Sequence, residues 1–187
     1  MPMIDVLIPE DALSAEAEAV LMSDLTDILI KAEGYDPNNP IARAVTVLNL
    51  HRPSAVYVGG APSKAPRYRI IPSAPEGQYT NEIRGKLVRE VTEAVARAEG
   101  ASFEEVAPRV WVFPTEIPDG NWGSRGAIWP LADIHALLAG ESERSEGAKR
   151  LARRRREKAR ITLEAALDAA TAGVSESKAM ENSQEIQ

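Results

Sequence analysis

Lys31-Ala32-Glu33-Gly34 returns later in the chain as Arg97-Ala98-Glu99-Gly100, and the offset of 66 residues between the two stretches decides how the rest is read. At that offset Pro9-Glu10 falls on Pro75-Glu76, Asp24-Leu25-Thr26-Asp27 on Glu90-Val91-Thr92-Glu93, and Arg43 on Arg109. No gap is needed. An ungapped register of identities and conservative exchanges through whole segments marks a duplicated unit.

Each copy reads as strand, helix, strand. In the first, Ile4, Val6 and Ile8 alternate at period two, which predicts a strand over residues 3–8. Ser14 is placed to cap a helix that runs to about Glu33 and stops at Gly34. A second strand is expected over 42–50, with Arg43 at its head. In the second copy residues 67–71 form the strand, Thr80 the cap, and Ile83, Leu87, Val91, Val95 and Ala98 a helical apolar stripe ending at Gly100. Residues 109–114 close the copy. Residues 55–60, Ala-Val-Tyr-Val-Gly-Gly, read as a short strand running into a turn. The two strands of a copy should be parallel, because the helix between them is a crossover connection. The expected fold class is α+β: two β-α-β units, about 2–50 and 68–116, forming a four-stranded mixed sheet with two helices on one face. That arrangement leaves the other face bare, and subunit association would cover it. Val110 and Val112 alternate with Trp111 and Phe113, so both faces of the closing strand are expected to be buried.

Pro2 stands behind the initiator methionine at the head of the first strand. Removal of Met1 would leave its ring nitrogen as a free secondary amine. An apolar setting lowers the pKa of such an amine from its value above neutrality and makes it a general base.

These features together resemble the tautomerase superfamily: two β-α-β copies, Pro2 at the first strand, Gly59-Gly60 before the second copy, and the run Arg109-Val-Trp-Val-Phe-Pro-Thr-Glu-Ile-Pro118. The likeness spans about residues 2–133. Within the superfamily the Trp-Val-aromatic-x-x-Glu-Ile-Pro pattern is most similar to the cis-3-chloroacrylic acid dehalogenase branch, and His51-Arg52-Pro53 is similar to malonate semialdehyde decarboxylase. The resemblance implies a homotrimer, a catalytic N-terminal proline, arginines that hold a substrate carboxylate, and no cofactor or metal. Pro2 matches as the catalytic residue. Where relatives place an arginine after a glycine before the second helix, this chain has Gln78. Ser124 and Phe113 fall where the dehalogenase branch has a water-activating glutamate and a tyrosine, and Leu29 where it has a histidine. Arg43 falls where the decarboxylase has an aspartate, and it resembles the substrate-binding arginine of 4-oxalocrotonate tautomerase.

The implied function is a keto-enol tautomerase acting on a small carboxylated enol or keto acid. Pro2 is the base, Arg43 and Arg52 are the candidate carboxylate and enolate partners, and Asn121 and Trp122 are candidate walls of the pocket. The alternatives are a decarboxylase or hydratase/dehalogenase of the same superfamily, and a non-catalytic binding protein.

Composition sets the limits. The chain has 187 residues, 44% apolar, with net charge −6. It lacks cysteine, which removes disulfides and thiolate chemistry. No membrane-spanning or signal stretch stands out, so a cytoplasmic protein is expected. The main domain is expected to be residues 2–140, with 141–187 a charged helical tail that becomes disordered from Gly173. Residues 1–141 carry twelve basic and twenty acidic side chains, a net of −8, and the remainder has a net of +2. Between Lys149 and Arg160 eight residues are basic and only Glu157 is acidic. That run reads as a solvated helix face, with nucleic acid its alternative partner.

Overall fold

The computed structural model describes residues 2–184, with side chains through residue 171. The chain opens with β1 (Met3–Leu7), α1 (Ala15–Ala32), α2 (Pro40–Val45) and β2 (Val47–His51). A hairpin of β3 (Tyr57–Val58) and β4 (Ala61–Pro62) leads into the second copy. This is β5 (Tyr68–Pro75), α3 (Asn81–Glu99), the short α4 (Phe103–Val106), β6 (Val110–Val112) and β7 (Thr115–Ile117). After it come the hairpin of β8 (Gly123–Ser124) and β9 (Ala127–Ile128), then α5 (Leu131–Ala139) and α6 (Arg144–Gln184).

Helices α1 and α3 start where a hydroxyl side chain satisfies an orphan backbone donor: Ser14 accepts from the Ala17 N–H, and Thr80 from the Ile83 N–H. The main sheet runs β2-β1-β5-β6, with β7 also pairing β5 beyond β6. β1 is parallel to β2 and antiparallel to β5, while β5 is parallel to β6 and β7. Ile4, Val6, Ile8, Tyr68, Ile70 and Ala74 are sealed on one face beneath Leu21, Leu25 and Leu29 of α1 and Leu87, Val91 and Val95 of α3. The expected duplicated α+β architecture is therefore observed, with both helices packed on one core.

The second strand differs from expectation. Asn39 accepts the N–H groups of Ile41 and Ala42 and Pro40 takes the first helical position, so residues 40–45 turn into α2 before β2 begins. Arg43 thus sits on a helix, not at the head of a strand. Nor does the closing strand bury both faces within the protomer. Trp111 and Phe113 lie on the face opposite the helices, 57% and 43% exposed, stacked at 6.3 Å with the Arg69 guanidinium over the Phe113 ring. Met3 and Val47 join them on that open face. One compact unit ends at Leu151, in the second turn of α6, and a second begins at Ala152. The polar run from Gly173 continues as helix to Gln184, and residues 185–187 of that expected disordered tail lie outside the described residues.

Arg109 shows what the second copy uses its matched residues for. Its guanidinium grips Glu99 at 2.7 and 2.5 Å, both side chains largely buried, and also donates to the Pro66 carbonyl at 2.9 Å. The hydrogen bonds from Arg109, more than its charge, hold the Glu99 carboxyl below its usual range. Arg109→Ala would leave that carboxylate buried without its cation and is expected to cost about 3 kcal/mol of unfolding free energy. Denaturant titration measures this; a loss below about 1 kcal/mol would show that the pair behaves as a surface ion pair.

Candidate active site at the head of the first strand

Pro2 is buried, and its carbonyl accepts the Val47 N–H at 3.3 Å. Met3 stands opposite Ser73, so the antiparallel register carried one step further sets Pro2 level with Ala74. Ala74 in turn pairs with Glu116 of β7. Pro2, Ala74 and Glu116 therefore form one row on the helix-covered face, with about 10 Å between the outer two Cα atoms at the usual strand spacing.

Glu116 shapes the loop above this row. Its Oε1 accepts the N–H groups of Gly77 and Tyr79, both at 2.9 Å, and its Oε2 takes Arg84 Nη2 at 2.5 Å. The loop turns Gln78 and Tyr79 inward until only 2% and 3% of each is exposed. The Tyr79 hydroxyl has no hydrogen-bond partner among the described residues. Burial first, then the carboxylates of Glu33 and Glu116, push its pKa well above the ordinary phenol value, so it stays protonated.

Glu33 comes to the same place from the end of α1, where it is the C-cap and 1% exposed. A carboxylate there faces the negative end of the helix dipole. Burial raises its pKa, and the positive charge of Arg150 is among the influences that oppose the rise. Tyr35, pushed up to about 12 mainly by burial, lies 2.8 Å from Nδ1 of His135 on α5. His135 is shifted the other way, burial and then Arg150 disfavouring its cation. A protonated phenol facing a neutral imidazole fixes the donor: Tyr35 donates to Nδ1, and the ring proton sits on Nε2. Arg150, from the second turn of α6, completes the group; Nη1 donates to Gln78 Oε1 at 2.7 Å and to the Glu33 carbonyl at 2.9 Å, and the guanidinium lies over the Tyr35 ring.

The residues expected from sequence are distributed unevenly around this cluster. Arg43 is at the same end of the sheet, because α2 feeds directly into β2 beside Pro2; its Nη1 is bound to Asp27 at 2.6 Å and to the Pro37 carbonyl at 3.1 Å, both partners of the ion pair being well exposed. Arg52 follows the far end of β2, opposite Leu7, where it pairs with Glu18. Within one protomer the length of β1 separates it from Pro2. Trp122 is buried among Ile30, Ala42, Ile134 and Leu138, and Asn121 beside it is exposed. The basic run does not present one uniform cationic face: Arg150 is turned onto Gln78, and Arg160 is bound to Glu157 and Glu164 on its own helix. Among the described residues no group of His, Asp or Glu side chains could hold a metal ion, and no helix is long and apolar enough to cross a membrane.

Glu33, Gln78, Tyr35, His135 and Arg150 were not anticipated as a cluster. One signal was available, the match of Glu33 to Glu99 at the 66-residue offset. Arg150 carried none, being one of eight basic residues in twelve.

With this geometry in view, comparison with solved structures identifies the fold. The structure of N1, a member of the cis-3-chloroacrylic acid dehalogenase family, matches with a TM-score of 0.57 at 17% identity, over 79% of this chain and 99% of that one. A fused 4-OT solved as a symmetric trimer matches with a TM-score of 0.55 at 21% identity, over 74% and 99%. Pt0534 inactivated by 2-oxo-3-pentynoate matches with a TM-score of 0.55 at 21% identity, over 67% and 94%. No family model and no curated protein matches the chain. The protein has the tautomerase-superfamily fold.

His135 makes stability depend on pH. A folded-state pKa below the unfolded value means that below about pH 6.5 the unfolded chain binds more protons, so stability falls as pH drops through that range. Glu33, with its raised pKa, acts with the opposite sign. The difference between wild type and His135→Gln separates the two: the drop in melting temperature between pH 7.5 and 5.5 should be smaller in the variant. An equal drop would mean that His135 titrates as it does in the unfolded chain.

Proposed function

We propose that the chain is a tautomerase-superfamily enzyme that interconverts a small carboxylated enol acid and its keto form, using Pro2 as the base after removal of Met1 and using no cofactor. One observation carries this reading. A proline lies buried at the head of the central strand β1, in a row with Ala74 and Glu116 and below the inward-turned loop 76–79. The shared fold with a 4-OT and with a dehalogenase-family member supports it, as does the inactivation of the similar Pt0534 by a small 2-oxo acid.

The chemistry is balanced within the substrate. The prolyl nitrogen accepts the enol O–H proton and returns it to the neighbouring carbon, so one O–H bond is replaced by one C–H bond and no co-reactant is consumed. Burial disfavours the ammonium form and keeps the amine available near neutral pH. The developing enolate and the carboxylate both call for cationic or hydrogen-bonding partners. Arg43 is at the right end of the sheet but must exchange Asp27 for the substrate, and Arg52 can serve only another protomer's site. Asn121 and Trp122 fit the reading as an edge and an apolar wall. The open sheet face bearing Met3, Val47, Trp111 and Phe113 would be covered in a homotrimer, and light scattering should return three chain masses.

Water addition is disfavoured because Ser124 and Phe113 offer no carboxylate or phenol at their positions, and Phe113 faces the open side of the sheet. Decarboxylation is disfavoured by the cation at Arg43. The protein should therefore ketonise phenylenolpyruvate and leave 3-chloroacrylate and malonate semialdehyde largely unchanged. Pro2→Ala should lower kcat/KM for phenylenolpyruvate by at least about 100-fold, within the range general-base catalysis contributes. Wild-type activity in that variant, or release of chloride or carbon dioxide at comparable rates, would overturn the assignment.

A further inference from the structure

The 66-residue offset makes Tyr68 the counterpart of Pro2, Glu99 of Glu33, and Arg109 of Arg43. In the second copy these residues close on one another: Arg109 grips Glu99, and the Tyr68 phenol is close enough for it and Glu99 to shift each other's titration. The first copy breaks the pattern. Arg43 is turned away to Asp27, and the guanidinium beside Glu33 comes from α6, outside the duplication altogether.

The first turns of α6 are built to deliver it. A Cβ on Gly147 would lie 2.8 Å from His135 Cβ and 2.9 Å from Ala132 Cα, so α6 is pressed against the backbone of α5 at that point. On the other side a Cβ on Gly77 would meet Leu131 at 2.9 Å and the Leu151 Cα at 3.2 Å. Arg150 lies between these two close approaches. The same compact unit holds all of these residues, and the helix has no freedom to slide without opening one contact or the other.

Arg150 differs from the arginines expected as anchors. Arg43 and Arg52 each hold a carboxylate. Arg150 forms no ion pair among the described residues, and its well-aligned hydrogen bonds all run through Nη1, although the guanidinium is also close enough to the Tyr35 hydroxyl to influence its titration. Around it stand further donors without a well-aligned acceptor among the described residues. The Tyr79 hydroxyl and Gln78 Nε2 are buried and lack a well-aligned partner, although the Gln78 amide is close enough to Tyr35 to influence its titration. An arginine whose well-aligned bonds use one nitrogen, set beside two buried side chains that also have donors to give, is complementary to a carboxylate.

We propose that Arg150 is the substrate-binding arginine of the Pro2 site, held through Nη1 by Gln78 and the Glu33 carbonyl and presenting its remaining N–H groups to the carboxylate of the substrate. The guanidinium that the loop lacks at position 78 is supplied by the last helix, and Gln78 serves as its positioning residue. The inference rests on the tautomerase reading for the identity of the ligand as a small oxo acid, and the test separates the two.

Calorimetric titration of the full-length protein with phenylpyruvate and with its methyl ester reads the anchor directly, without turnover. Wild type should bind the acid more tightly than the ester. Arg150→Ala should weaken acid binding by about 10- to 100-fold, as expected for the loss of charge-assisted hydrogen bonds, with ester binding changed less than about threefold. Arg150→Lys, which keeps the charge but loses the planar fork, should fall between the two and guards against a folding defect in the alanine variant. Equal binding of the acid by wild type and both variants, or equal loss of acid and ester binding, would overturn the proposal. So would a wild type that does not distinguish acid from ester. If Arg150→Ala loses the acid selectively while Pro2→Ala turns over phenylenolpyruvate like wild type, the anchor stands and the catalytic reading falls.

Discussion

The antiparallel pairing of β1 with β5 is the contact on which the remainder of the structure depends. Neither β-α-β copy can seal its own apolar face, since two strands and one helix leave Ile4 and Val6 or Ile70 and Ala74 short of a neighbour. Joining them edge to edge places α1 and α3 side by side over one continuous core. The register of that join also sets the site. With Met3 opposite Ser73, the chain's second residue arrives beside Ala74, at the point where β5 ends and the loop to α3 begins. A slip of one residue would turn every side chain of β1 to the opposite face and carry Pro2 out from under the helices.

Duplication supplies two equivalent strand heads, and the chain has treated them differently. At Tyr68 the acid at the helix end is neutralised by an arginine of its own copy, and the result is a closed structural cluster. At Pro2 the matching acid, Glu33, is buried near Tyr35, and its backbone carbonyl accepts Arg150 Nη1 from outside the duplication. Buried polar groups are costly unless satisfied. A cluster that keeps a Tyr79 hydroxyl without a hydrogen bond among the described residues, beside a guanidinium whose well-aligned bonds use one nitrogen, is therefore suited to a ligand.

Much of this was legible in the sequence, for physical reasons. The offset of 66 residues located both strand-helix units because duplicated elements keep their apolar spacing and caps; Ser14 and Thr80 cap where they were expected to, and Arg43 and Arg109 remained in register. The α2 helix was missed because residues 42–50 read as one apolar run, whereas Asn39-Pro40 is a helix start that cuts it in two. The role of α6 was hidden more deeply. Arg150 lies among residues whose composition says only that they are charged, and its placement depends on Gly147 and Gly77 permitting close approach, which spacing alone does not reveal. Strand position was readable; the partner of each side chain across the fold was not, as Arg52 at the far end of β1 shows.

The central claim is that Pro2 is a free amine with a lowered affinity for protons. Labelling the protein with 15N-proline and following the proline nitrogens through a pH titration tests it most directly, because each of the thirteen prolines is an amide nitrogen unless it begins the chain. The account predicts one titrating resonance, absent in Pro2→Ala, with a midpoint below the value of about 7.7 to 8.0 for an ordinary terminal amine. A spectrum in which no proline nitrogen titrates, or one whose midpoint lies above that range, would contradict it.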